Sequence, residues 1–333
     1  GDKTEAVTGN CSPKDFETMM QLTYLTFTAP RRDDDAFASY KNRSKAELQN
    51  MDLNPSSSFS DSITSTLYSK HPRTLRMKAD MVDKMNYDKI LSMYQDRFKD
   101  ASDFTFILVG NVDVEAVKPL IESYLGSLPS INRKETFKDN HIAMRKGICK
   151  NEFIRQQETP KVNNFICYSG TCKYNLRNEI LMSMTDQLLN FIYTEKVRED
   201  EGGTYGVYPM GQLIKYPTEK AVLQIFFNTA PDKQEKLIKI IYDEAEAFAK
   251  NGPDEASLNK VKEYMLKKHS EDLKENGYWL NSIDEYLYTG IDPVKDYEQI
   301  INSITPKDVQ QFANELLKQK NQITVSMISP EKK

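Results

Sequence analysis

The order of elements along the 333 residues predicts an α+β chain made of two similar domains. Three observations predict it. Long stretches carry apolar residues at helical spacing, whereas only a few short aromatic and β-branched runs read as strands. In the second half, strands bracket one helix and are followed by a run of helices. Four elements of the first half also return, in the same order, in the second.

The first half opens on a helix from Pro13 to Phe27, N-capped by Ser12 and apolar at Phe16, Met19, Met20 and Leu22. A second helix runs from about 34 to 50 through Phe37 and Tyr40. The polar stretch from Asn54 to Ser60 reads as a loop, with a short helix after it to Tyr68. A helix over about 87–99 turns Ile90, Leu91, Tyr94 and Phe98 inward. Phe104–Val109 reads as a buried strand, stopped by Gly110-Asn111 and followed by a helix to Tyr124.

After Gly126-Ser-Leu-Pro129 the polar, Lys- and Arg-bearing run 131–148 reads as a linker between a domain at 1–130 and one at 149–333. The second domain has predicted strands near 148–157 and 162–169, a long helix, and strands near 204–214 and 220–228. Helices follow at about 232–250, 254–275, 279–289 and 306–318, and then the strand Ile323–Met327.

The late elements repeat the early ones. Phe16, Met19, Met20 and Phe27 fall on Leu237, Ile240, Ile241 and Phe248 at an offset of 221, and Phe37 and Tyr40 fall on Leu258 and Val261 at the same offset. The helix 88–98 falls on 306–316, and Phe104–Val109 falls on Ile323–Met327 after a one-residue slip. One such overlay is chance, because helices share a period; four in one order imply a duplication. On that reading the first copy opens roughly 70 residues before Gly1, so the sequence reads as a fragment whose first domain lacks its opening strands and helix.

Composition narrows the function. A net charge of −4 with both signs interspersed gives no electrostatic footprint for nucleic acid. No apolar run approaches the ~18 residues of a membrane span. Cys11, Cys149, Cys167 and Cys172 lack paired spacing and read as free thiols. His71, His141 and His269 belong to no zinc motif and read as structural or surface residues, so no metal ligand is predicted.

The remaining distinctive stretch is Thr194–Tyr208. A patterned helix through Ile180, Leu181, Met184, Leu188, Leu189, Phe191 and Ile192 closes on Lys196 and Arg198, then on Gly202-Gly203, with Tyr205 and Tyr208 leading into a strand. Two readings stand. One is ordinary basic capping and strand packing. The other is a guanidinium and a phenol at fixed separation, both hydrogen-bond donors able to grip a peptide carbonyl or an oxyanion. Gly202-Gly203-x-x-Gly206 follows a helix and is therefore not a dinucleotide fingerprint.

The duplication, Val109-Gly110-Asn111-Val112-Asp113, Tyr124-Leu-Gly-Ser-Leu-Pro129 and Val197-Arg198-x6-Tyr205 together resemble the C-terminal half of the pitrilysin/insulinase family of zinc peptidases. The resemblance covers nearly the whole chain. It implies two similar domains, each a mostly antiparallel sheet covered on one side by helices. It also implies a zinc-bearing N-terminal half, absent from this sequence, with the His-x-x-Glu-His motif. Across a closing chamber, Arg198 would hold the peptide substrate and Tyr205 would stabilise the oxyanion. Alone, the chain would have no cofactor and no peptidase activity. A non-catalytic clamp or scaffold, or a peptide-binding module, is the alternative. By resemblance the compartment is the bacterial periplasm, with the cytoplasm as alternative.

Overall fold

The computed structural model describes residues 4–330 except 137, 200, 201, 203 and 205, and only the main chain at 198 and 199. The chain divides into two compact units: 1–51 with 77–140, and 52–76 with 141–333. The stretch 52–76, inside the predicted 1–130 domain, thus belongs with the second unit.

The first unit is helical among its described residues: α1 (Phe16–Thr28), most of α2 (Asp34–Leu53), a short α4 (Ala79–Val82), α5 (Tyr87–Phe98) and α6 (Val114–Tyr124). Its small core gathers Phe27, Phe98 and Leu128, with Phe104 packed edge-on against Phe27 at 4.8 Å. Ser12 does not cap a backbone N–H; it bonds the Asp15 carboxylate. Asp100 fastens the following loop. Its carboxylate accepts from Ser102 Oγ and from the backbone N–H of Ser102, Ile131 and Arg133, which holds it well below the usual carboxylate range.

The predicted strand over 104–109 is not formed. Among the described residues the segment has no ladder partner, and Phe106 is 37% exposed. The apolar run has strand composition, but a strand is stable only beside a neighbour, which a helix does not need.

The second unit is built on one five-stranded sheet: β1 (Ile148–Ile154), β2 (Lys161–Thr171), β3 (Val207–Ile214), β4 (Lys220–Thr229) and β5 (Asn321–Ser329), ordered β1-β5-β2-β4-β3. β1 and β5 are parallel and every other pairing is antiparallel. β2, inside the sheet, is buried on both faces and reads as an almost unbroken apolar run.

One face packs on α7 (Leu176–Tyr193), α8 (Gln234–Asn251), α9 (Glu255–Asp272) and α12 (Pro306–Leu317), through Ile166, Leu223, Ile225, Leu237 and Val309. α10 (Asn276–Thr289) and α11 (Tyr297–Ser303) follow α9 in the chain. The opposite face carries Phe165, Cys167, Val222 and Val325 under α3 (Pro55–Leu67), so helices cover both faces in part.

α3 corrects the predicted loop at 54–60. Asn54 Oδ1 accepts the Ser56 N–H at 2.8 Å and Pro55 occupies the first helical position, so the polar run is a helix start. Asn151 on β1 donates to Ser62 Oγ and Thr66 Oγ1, which fixes α3 on the sheet. On α1 and α8 the buried faces of the repeat agree, with Phe16, Met20 and Phe27 and Leu237, Ile241 and Phe248 all buried, as are Phe98 and Leu316; on α2 and α9 they do not, since Tyr40 is exposed where Val261 is buried.

Candidate functional site at the α7–β3 junction

α7 is seated before it reaches the junction. Asn175 caps it through the Asn178 N–H at 2.9 Å, and Ile180, Leu181, Met184, Leu188 and Leu189 bury its inner face. Phe191, placed in the same apolar pattern by the sequence, is largely exposed. At the helix end the Tyr193 hydroxyl donates to the Ile241 carbonyl on α8, and burial pushes that phenol well above its ordinary pKa.

The helix then does not stop. Residues Thr194–Glu199 continue as a wider, π-type turn, and the Thr194 N–H is shared between the Asn190 and Phe191 carbonyls. Such turns carry one extra residue per turn and recur at functional positions. Val197 is 0% exposed and sets the rotation of this turn. Lys196 pairs with Glu195 at the surface.

Beyond it, Gly202 has φ +56°, the left-handed region that glycine enters without a Cβ clash. Thr204 Oγ1 accepts the Gly206 N–H at 3.2 Å and donates to the Gly206 carbonyl at 3.0 Å, which closes a local turn into β3. The main chain of Arg198 lies in the π-type turn; its side chain, and all of Tyr205, lie outside the described residues.

β3 is an edge strand. Val207 and Gly211 face α7, and Tyr208 and Met210, 58% and 59% exposed, face the other way. Tyr208 and Met210 lie opposite Phe226 and Gln224 on β4, so an apolar strip borders the junction on the face away from α7.

The free edge of β3 is blunted twice. Pro209 has no N–H, and two residues on, the Gly211 N–H donates to Asp186 Oδ2 on α7 at 3.0 Å. A side chain at 211 would collide with Met182 and Asp186, so α7 and β3 touch closely there. Burial pushes the Asp186 carboxyl up to about 6, against the opposing Gly211 hydrogen bond. The sequence reading passes over Asp186; its signal was a carboxylate four residues after Met182 in an otherwise apolar helix.

Among the described residues, no group of three His, Cys, Asp or Glu side chains is placed to hold a metal. The described residues therefore form no zinc centre. Nor is any described helix long and apolar enough to cross a membrane.

Residues 84–265 match the family described as the peptidase M16 inactive domain. The chain belongs to this family. As an M16 inactive domain it is similar to the zinc protease PQQL-like of Arabidopsis thaliana, 24% identical over 81% of this chain and 30% of that protein. It is also similar to the probable zinc protease PqqL of Escherichia coli, 21% identical over 90% of this chain and 32% of that protein. The chain thus spans about a third of the length of the curated relatives it matches.

Its fold is that of the periplasmic protease PqqL from E. coli, with a TM-score of 0.82 at 18% identity over 96% of this chain and 35% of that one. The first half of the same protease also matches, with a TM-score of 0.74 at 14% identity over 96% of this chain and 72% of that one. One fold therefore serves both the whole relative's matching region and its first half, a two-half arrangement. The predicted α+β architecture and the family resemblance hold.

Proposed function

We propose that this M16 inactive domain is the non-zinc half of a zinc-dependent endopeptidase. In that role Arg198 holds the substrate main chain and Tyr205 donates its phenol to the oxyanion. The observation that carries the proposal is the α7–β3 junction. A π-type turn seated by buried Val197, a left-handed Gly202 and the Thr204–Gly206 turn set the main chain on both sides of the two residues. Membership in a peptidase family supplies the context for the proposal.

The blunted edge of β3 supports contacts through side chains. With Pro209 lacking an N–H and Gly211 bonded to Asp186, an extended peptide gains little by adding to this strand. The exposed Tyr208–Met210 strip offers apolar contact to substrate side chains instead. The metal belongs to the other half, where it would supply an activated water. This half contributes donors that reach the reacting carbonyl only on closure, which ties turnover to exclusion of solvent. By likeness to the periplasmic PqqL we place the protein in the periplasm.

The test is peptide hydrolysis by this chain assembled with its zinc-bearing half. Tyr205→Phe keeps the ring and removes one donor; loss of a single oxyanion donor typically lowers kcat about 10²–10³-fold, with KM little changed. Arg198→Ala raises KM as well. Full activity in Tyr205→Phe would remove the catalytic assignment and leave a clamp or scaffold.

A further inference from the structure

A second concave feature lies elsewhere in the same unit, a cavity of about 490 Å³ between α7, α9 and α10. That volume is in the range of small-molecule sites and far larger than an inorganic ion needs. α7 supplies Glu179, α9 supplies Tyr264 and His269, and α10 supplies Tyr278 and Glu285.

Two carboxyl groups from different helices, Glu179 and Glu285, line it, and the Tyr174 hydroxyl donates to Glu285 Oε1 at 2.7 Å. Burial first, then the Glu285 charge, against an opposing Tyr174 hydrogen bond, pushes the Glu179 carboxyl up to about 7.

The cations nearby are already engaged. Lys268 is ion-paired with Asp272, and Lys215 donates to the Thr289 carbonyl. His269 Nδ1 and the Tyr278 hydroxyl share a hydrogen bond of 3.2 Å, and the ring is stacked on Tyr297 at 4.4 Å. The groups that act on Glu179 are Tyr174 and Glu285, neither of them a cation.

We propose that this cavity binds a small organic cation, with an alkylammonium or guanidinium head between Glu179 and Glu285 and its hydrocarbon body against the rings of Tyr264 and Tyr278. The chemistry fits on both counts. Charge-assisted hydrogen bonds from an ammonium satisfy two carboxylates at once, and phenol faces attract a cation and its methylenes. A metal ion does not fit, because two carboxylates among phenols do not make a coordination shell, and no described cluster of ligands is large enough. Seating the cation favours the ionised form of the Glu179 carboxyl, whose proton leaves to solvent, so affinity rises with pH.

Isothermal titration of the 333-residue chain with cadaverine tests this, with magnesium chloride at matched ionic strength as control. Saturable one-to-one binding that is tighter at pH 8 than at pH 6 is expected. E179Q and E285Q should each weaken it about tenfold or more, the loss of a charge-assisted bond. Both variants relieve like-charge repulsion, so an unchanged or higher Tm shows that they fold. An acetylated, amidated Gly-Lys-Gly peptide forms the second arm. Tighter binding than cadaverine assigns the head to a lysine side chain, and weaker binding assigns it to a free amine; either supports the site. No saturable binding of either ligand, undiminished affinity in both variants, or equal competition by magnesium would overturn it.

Discussion

Replacing Asp186 by Asn should stabilise the protein at neutral pH and leave it unchanged in acid. Asp186 lies between α7 and β3, accepts the Gly211 N–H, and has its carboxyl pushed by burial from 3.8 up to about 6. An acid whose pKa is raised by folding binds more protons in the native state than in the unfolded state. Stability from this group is therefore highest below about pH 4 and declines as pH rises to about 6. The interval is about two pH units at ~1.36 kcal/mol each, so the ionised carboxylate costs on the order of 3 kcal/mol at pH 7.5.

Asp186→Asn keeps a carbonyl oxygen for the Gly211 N–H and has no charge to desolvate. A gain of about 1–3 kcal/mol at pH 7.5 is expected, a rise in Tm of roughly 3–10 °C for a domain of this size. At pH 4 the two proteins should melt together. Asp186→Ala separates charge from hydrogen bond: it leaves the Gly211 N–H without its acceptor and should cost about 1–3 kcal/mol at pH 4. Thermal melts of the three proteins across pH 4–8 read this out. A loss of stability in Asp186→Asn at pH 7.5, or an equal gain at both pH values, would refute the burial account.

The other predictions concern the junction and the duplication. Tyr208→Phe in the assembled enzyme should be nearly silent in kcat, because the Tyr208 side chain is more than half exposed on the face away from α7; an effect as large as that of Tyr205→Phe would merge the two tyrosines into one packing role. Metal analysis of the isolated chain should find no stoichiometric zinc, and a tightly held zinc with chelator-sensitive proteolysis would contradict the absence of a ligand cluster among the described residues. Superposition should lay α1, α2 and α5 on α8, α9 and α12 as one rigid set; a fit of each helix alone but not of all three together would remove the duplication.

Much of the fold was legible because helices announce themselves locally. The apolar stripes of α1, α8 and α12 lie in the sequence, and Thr305 with Asp308 forms the reciprocal cap that starts α12. The errors came where a local signal had two meanings or where the decisive partner was distant. Asn54-Pro-Ser-Ser-Ser reads as loop by composition, yet its first two residues are a cap and a preorganised first turn. Phe104–Val109 has strand residues but no neighbouring strand among the described residues. The Asp186–Gly211 contact joins positions 25 residues apart through a backbone N–H that no residue pattern reveals. At the candidate site, the spacing of Arg198 and Tyr205 was read from sequence, and what the structure adds is the scaffold on either side of them.

The position of β5 sets the timetable of assembly. β5, the last of the described strands in chain order, lies inside the sheet, beside β1 on one side and β2 on the other, and the Gly147 N–H donates to Asn321 Oδ1, 174 residues away. Until β5 arrives, β1 has no partner strand and β2 has one bare side, so the sheet cannot close before residue 329 has been made. Pairings this distant are slow to form, and in the interval two strand flanks stay open to strangers. Loss of residues 321–329 would therefore cut β1 off from β2, β4 and β3, and a nascent chain stalled before Asn321 is the form in which chaperone capture should be greatest.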